Sequence, residues 1–190
     1  MTAPAKKIKP LVAGNWKMNG TGAHLRELRR LNTGMSDHKF GCDVAVCVPA
    51  TLVHRLSTMK FGAKIMTGGQ DCHGAQKGSH TGDVSADMLK DAGAKWVIVG
   101  HSERRAVVKR GGHGETSKLV RDKVLAAQMA DLRSIVCVGE TLAERKSGDT
   151  LKVVGAQLRQ SLPDTCSSGD TVIAYEPVWA IGSGLTPSVE

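Results

Sequence analysis

The chain has 190 residues, 41% of them hydrophobic, and a formal net charge of +8. That much apolar material can build one substantial core, which excludes a disordered chain and favours one large domain over two. No run reaches the roughly 18 apolar residues of a spanning helix, and the opening MTAPAKKIKP lacks the apolar stretch of an export signal. A soluble protein is expected, with no membrane partner. The five cysteines (Cys42, Cys47, Cys72, Cys137, Cys166) are odd in number, and Cys47 and Cys137 sit inside apolar runs. That pattern favours a reducing cytoplasm over a disulfide framework. The positive balance invites a nucleic-acid reading, but the cations are scattered and the six aromatics are too few for a base-stacking platform. A small anionic substrate accounts for the charge equally well, and no nucleic-acid partner is expected.

In chain order, short apolar runs recur: LVAGN near 11, DVAVCV near 43, KIMTGG near 64, KWVIVG near 95, SIVCVG near 134 and TVIAYE near 171. They are continuously apolar rather than alternating, as strands buried on both faces are, so a parallel sheet is predicted. Between them lie amphipathic segments: GAHLRELRRL, TLVHRLSTM, VSADMLKDAG with Gly93 as its stop, GETSKLVRDKVLAAQMADL, and TLKVVGAQLRQSL ended by Pro163. In the fourth, Leu119, Val120, Val124, Ala127 and Met129 fall near helical spacing behind Glu115 and Thr116. Six strand–helix units suggest a doubly wound sheet or a (β/α)8 barrel. The first strand runs into GNWKMNG, without the G-x-G-x-x-G turn of a dinucleotide binder, which favours the barrel.

In a barrel, catalytic groups sit just past the carboxyl ends of the strands, and here those positions hold Asn15, Lys17, His101, Glu140 and Glu176. Strand alternation would send Asn15 and Lys17 one way and Trp16 the other; the pair also fits a plain strand-end turn with a solvated lysine. His101 opens HSERR, where Ser102 and Glu103 suit a first helical turn. The positive end of a helix disfavours an imidazolium, so His101 reads as a neutral hydrogen-bond donor, or as a structural strand-end histidine. Glu176 ends an apolar strand, where desolvation should raise its pKa towards that of a general base. Pro177 then directs the chain, and Gly182 and Gly184 bracket Ser183 in a form that can hinge a loop and offer N–H groups to a phosphate. An amide, an ammonium, a neutral imidazole and a carboxylate at one mouth suit proton abstraction next to a carbonyl.

GNWKMN, VIVGHSERR, IVCVGE and AYEPVWAIGSG, in this order, resemble the triosephosphate isomerase family along essentially the whole chain. The resemblance implies a TIM barrel and an isomerase of glycolysis and gluconeogenesis, needing neither metal nor organic cofactor, that interconverts dihydroxyacetone phosphate and D-glyceraldehyde 3-phosphate. It implies that Asn15 and Lys17 bind substrate, that His101 is the electrophile and Glu176 the base, and that Pro177 to Gly184 close as a lid with Gly182 and Ser183 at the phosphate. Glu103, Ser102 and Cys137 would support these groups. Residues 68 to 85 resemble the family's long third loop, with Thr81 at the tip that enters the partner of a homodimer. A Cys72, His73, His80 metal site is the competing idea for that loop, and lacks a fourth ligand at zinc-like spacing.

Two departures stand out: Ser183 replaces the usual Thr and Leu185 the usual Lys. A barrel of this kind takes about 250 residues. The expectation is therefore an incomplete barrel of six βα units, lacking the last two, whose first and sixth strands present open edges. Such a chain, read as the amino-terminal part of an isomerase, need not be active alone. The rival readings are an inactive barrel fragment serving as a binding or complementation partner, and another barrel enzyme acting on a phosphorylated sugar.

Overall fold

The computed structural model describes residues 8–36, 40–61, 65–107, 109, 111–181, 184, 186 and 187. Six strands form: β1 (Leu11–Asn15), β2 (Asp43–Cys47), β3 (Met66–Gly69), β4 (Trp96–Val99), β5 (Arg133–Val138) and β6 (Thr171–Tyr175). All pair in parallel, each with its neighbour in sequence, from β1 across to β6. A doubly wound sheet reverses its order at a switch point; this one never does, which leaves the barrel wall.

The helices are α1 (Leu25–Ser36), α2 (Ala50–Ser57), α3 (Ala86–Asp91), α4 (Ser102–Arg105), α5 (Ser117–Met129), α6 (Leu142–Lys146) and α7 (Thr150–Ser161), with 3-10 turns at Gly22–His24 and Val178–Ala180. Thr116 caps α5 by accepting from the Leu119 N–H at 3.2 Å, and Gly93 follows α3 with a φ of 91° that a β-carbon would strain. Helix α6 escapes the hydrophobic pattern because it is short and exposed. Its start nonetheless carries a capping box, Thr141 with Glu144.

Along β4, Val97 and Val99 pack with Leu89 and Val124 of the helical layer, while Trp96 and Ile98 join Ala45, Cys47, Ile135 and Cys137 on the face away from the helices. Both faces are therefore apolar, which is why the runs do not alternate. The edge strands differ. Among the described residues β1 pairs only with β2 and β6 only with β5, and Val12, Ile173 and Tyr175 are 57%, 41% and 47% exposed. One helical expectation is corrected. Val120, Val124 and Ala127 are fully buried, but Leu119 is 37% and Met129 70% exposed, since these two flank the stripe rather than belong to it. Lys123 takes the inward place between them, for reasons given below.

Candidate active site

Gly100 follows the last residue of β4, and His101 begins the turn into α4. The His101 side chain is the helix cap: its Nδ1 accepts from the Glu103 N–H at 3.2 Å. A nitrogen that accepts a backbone N–H carries no proton, so the ring proton of this buried imidazole resides on Nε2. Nε2 lies 3.0 Å from Oε1 of Glu176, and Oε2 of the same carboxylate accepts from the Ser102 N–H at 3.0 Å. Burial alone would push the Glu176 pKa up. His101, the Ser102 N–H and the Cys137 thiol all stabilise its charge, and together they hold it below the ordinary carboxylate value. The sequence-based expectation of a raised value is thus corrected: desolvation is present but outweighed. Burial and the adjacent Glu176 charge push the Cys137 thiol up, so it stays protonated and can donate.

Asn15 is the last residue of β1. Its Oδ1 accepts from the Lys17 N–H at 2.9 Å, and Lys17 has a φ of 52°, the left-handed region that side chains rarely enter. The two side chains share one cavity because of this turn, not because of strand alternation. Trp16 packs against the outer core instead. The Lys17 ammonium meets Oε1 of Glu103 at 2.8 Å. Asn15, Lys17, His101 and Glu103 all line one cavity of about 770 Å³. Contacts therefore run without a gap from Asn15 through Lys17, Glu103 and His101 to Glu176.

Beyond Glu176 the chain is anchored by Glu140, which is fully buried. Its carboxylate accepts from the Tyr175 hydroxyl at 3.0 Å and from Trp179 Nε1 at 3.1 Å, and its carbonyl accepts from the Val178 N–H at 3.2 Å. Arg145 lies over the Trp179 ring at 4.4 Å. Gly139 precedes this acid because a β-carbon there would stand 1.7 Å from the Glu176 carbonyl oxygen. Sequence reading placed Glu140 at a strand end without a role; its signal was an acid closing an apolar run, while its partners Tyr175 and Trp179 lie 35 and 39 residues further along the chain.

Two further charged groupings were not foreseen. Arg105 donates to the Gly100 and Cys137 carbonyls and to the hydroxyls of Ser117 and Ser161, tying the ends of β4 and β5 to α5 and α7. On the other flank of the cavity, the Lys123 ammonium sits 2.7 Å from Asp71 and 2.6 Å from Glu115, and Arg104 bridges the same two acids. Burial tends to raise Glu115, but Lys123 and Arg104 hold it below the usual carboxylate range, whereas Asp71, with burial as its main influence, is raised. The four side chains neutralise one another, which is how Lys123 comes to be only 3% exposed. Thr81 is exposed on the loop after β3. Gly182, Ser183 and Leu185 lie outside the described residues.

The comparisons with known proteins agree with this geometry. The family model for triosephosphate isomerase matches residues 10–190. The triosephosphate isomerase of Ruegeria sp. (strain TM1040) is 56% identical over 182 residues, covering 96% of this chain and 70% of the relative, and that of Afipia carboxidovorans is 53% identical with the same coverage. Among solved structures, triosephosphate isomerase from Bartonella henselae superposes with a TM-score of 0.84 at 50% identity, covering 90% of this chain and 69% of that one. The chain belongs to the triosephosphate isomerase family.

Proposed function

We propose that residues 1–190, as a single barrel-type domain, catalyse the interconversion of dihydroxyacetone phosphate and D-glyceraldehyde 3-phosphate. Glu176 is the base. Its carboxylate removes a proton from the carbon beside the substrate carbonyl and the electron pair moves onto the carbonyl oxygen to give an enediolate; that oxygen takes a proton from His101 Nε2, which recovers one from the hydroxyl of the first carbon, and the Glu176 carboxylic acid returns its proton to the neighbouring carbon as the first carbon becomes the aldehyde. The Nε2–H of His101 and the ammonium of Lys17 hold the developing oxyanion, and Asn15 orients the triose. To act, Glu176 must exchange its bonds to His101 and Ser102 for the substrate, which places the electrophile and the base on opposite sides of the reacting carbons. Glu103 steadies Lys17, while Ser102 and Cys137 store the carboxylate between turnovers. Gly182 and Ser183 are assigned to the phosphate, and Pro177 to Gly184 to a lid that keeps water from the enediolate.

The observation that carries this reading is the 3.0 Å contact between a neutral imidazole, which lines the same cavity as Asn15 and Lys17, and the part-buried Glu176 carboxylate behind it. The test is a coupled assay of both directions with the wild-type chain and Glu176→Gln. The variant is expected to lose about 10²–10⁴ in kcat, the range for removing a general base. Wild-type turnover unaffected by the change would rule out the assigned base. A homodimer in the cytoplasm, with Thr81 entering the second copy, completes the proposal and is checked by sedimentation equilibrium. The rival reading, an inert barrel fragment, has no observation of its own in its favour.

A further inference from the structure

Arg105 is the last residue of α4, and its guanidinium bonds to none of the side chains assigned to the reaction. It holds the strands that carry them. The β4–β5 ladder ends at the pair Val99 and Val136. One residue further along each strand, the carbonyls of Gly100 and Cys137 turn to the Arg105 side chain instead: Nε donates to Gly100 at 2.8 Å and Nη2 to Cys137 at 3.1 Å. A rigid planar fork thus spans two adjacent strands where the sheet's own hydrogen bonds stop. The fork is itself fixed from the helical layer, by Ser117 of α5 at 3.1 Å and by the fully buried Ser161 of α7 at 3.0 Å. Among the described residues these bonds all go to carbonyls and hydroxyls, none to a carboxylate. Burial lowers the Arg105 pKa, yet a guanidinium keeps its charge at any working pH.

Both clamped carbonyls adjoin the chemistry. Gly100 immediately precedes His101, whose Nε2 meets Glu176 at 3.0 Å. Cys137 turns its side chain to the inner face of the sheet, where the thiol stabilises the same carboxylate. Imidazole and thiol therefore approach Glu176 from two different strands, at the level where only Arg105 joins those strands. Gly100 has a φ of 68°, and a β-carbon there would stand 2.9 Å from Arg105 Nη2, so the close approach of fork and strand requires glycine.

We propose that Arg105 is a positioning residue for the reaction: by clamping Gly100 and Cys137 it sets the spacing of His101 and the Cys137 thiol, and with it the placement of the Glu176 carboxylate between them. Lysine would keep the charge but is a point donor on a flexible stem, unable to hold two carbonyls at the spacing of a fork. The inference deepens the isomerase reading and rests on it for its kinetic arm, whereas its spectroscopic arm needs no turnover.

The test compares the full wild-type chain with Arg105→Lys by steady-state kinetics per folded molecule, urea unfolding and proton NMR of the His101 ring. The Nε2–H bonded to Glu176 should give a downfield resonance in the wild type, assigned by its disappearance in His101→Gln. In Arg105→Lys, kcat should fall by about 10–10²-fold, the scale of a misplacement of about 1 Å, with KM unchanged, and the resonance should shift or broaden. Ser161→Ala takes one partner from the guanidinium and should act in the same direction, with a loss of about threefold to tenfold in kcat; it is the deciding variant if Arg105→Lys does not fold. A residue with only a structural role would lower the denaturation midpoint and leave both kcat per folded molecule and the resonance as in the wild type, and that result would overturn the proposal. A wild type without turnover whose resonance still responds to Arg105→Lys would contradict the isomerase reading alone and leave the clamp standing.

Discussion

Two charged clusters flank the same cavity, and they are built to opposite ends. On one flank Lys123 and Arg104 face Asp71 and Glu115, two cations against two acids, bonded to one another. On the other flank stand a neutral imidazole, an ammonium and an amide, and behind the imidazole the Glu176 carboxylate is held at 3.0 Å. The first set is matched and closed, so its energy goes into holding α5 against the loop after β3. The second is held by bonds that a substrate can replace, so its groups are available for chemistry. Burial and charge alone do not mark a catalytic group; what separates the two is whether the partners can be exchanged.

The largest break in that contrast is Glu176→Gln, where the expected loss of about 10²–10⁴ in kcat should leave the denaturation midpoint little changed, as steady-state kinetics beside urea unfolding will show. Next comes Lys123→Met. Removing one cation from a buried set leaves Asp71 and Glu115 to share Arg104, one charge short, at a cost of about 3–5 kcal/mol by chemical denaturation, with turnover per folded molecule within about tenfold of wild type. His101→Gln removes the aligned Nε2–H and should lower kcat by about 10²–10³, with a much smaller effect on stability. The smallest effect concerns pH. The folded pKa of Glu176 is depressed, so its ionised form contributes stability above the unfolded carboxylate value, and that contribution disappears as pH falls through the folded value. Glu176→Gln should therefore lose less stability than wild type between about pH 6 and about pH 3 in paired unfolding curves. Asp71, shifted the other way, is common to both proteins and cancels in the difference.

Much of the fold was legible because strands buried on both faces leave long apolar runs, and because no reversal signal interrupted them. The edges read the same as the centre: LVAGN and TVIAY are as apolar as WVIV, yet Val12 and Ile173 are exposed, since composition records what a strand can pack against and not how many neighbours it has. Helix α5 misled for a related reason. The hydrophobic pattern does not mark Lys123, which is buried because it pairs with Glu115 at the start of its own segment and with Asp71 from the loop after β3, and the second partner leaves no local trace. In the site, His101 and Glu176 were legible from their places at strand ends. The depressed Glu176 charge was not, since it depends on a backbone N–H and a thiol that only folding brings within reach. The turn at Lys17 likewise hid behind an apparent alternation.

The account rests most directly on Glu176 carrying a proton between substrate carbons. Incubating the chain with dihydroxyacetone phosphate in deuterium oxide and following the substrate by proton NMR tests this step without requiring net conversion. The wild-type chain should exchange hydrogen at the carbon bearing the hydroxyl, and Glu176→Gln should do so at least about 10²-fold more slowly. Equal exchange rates in the two proteins, or none in a folded wild type, would contradict it.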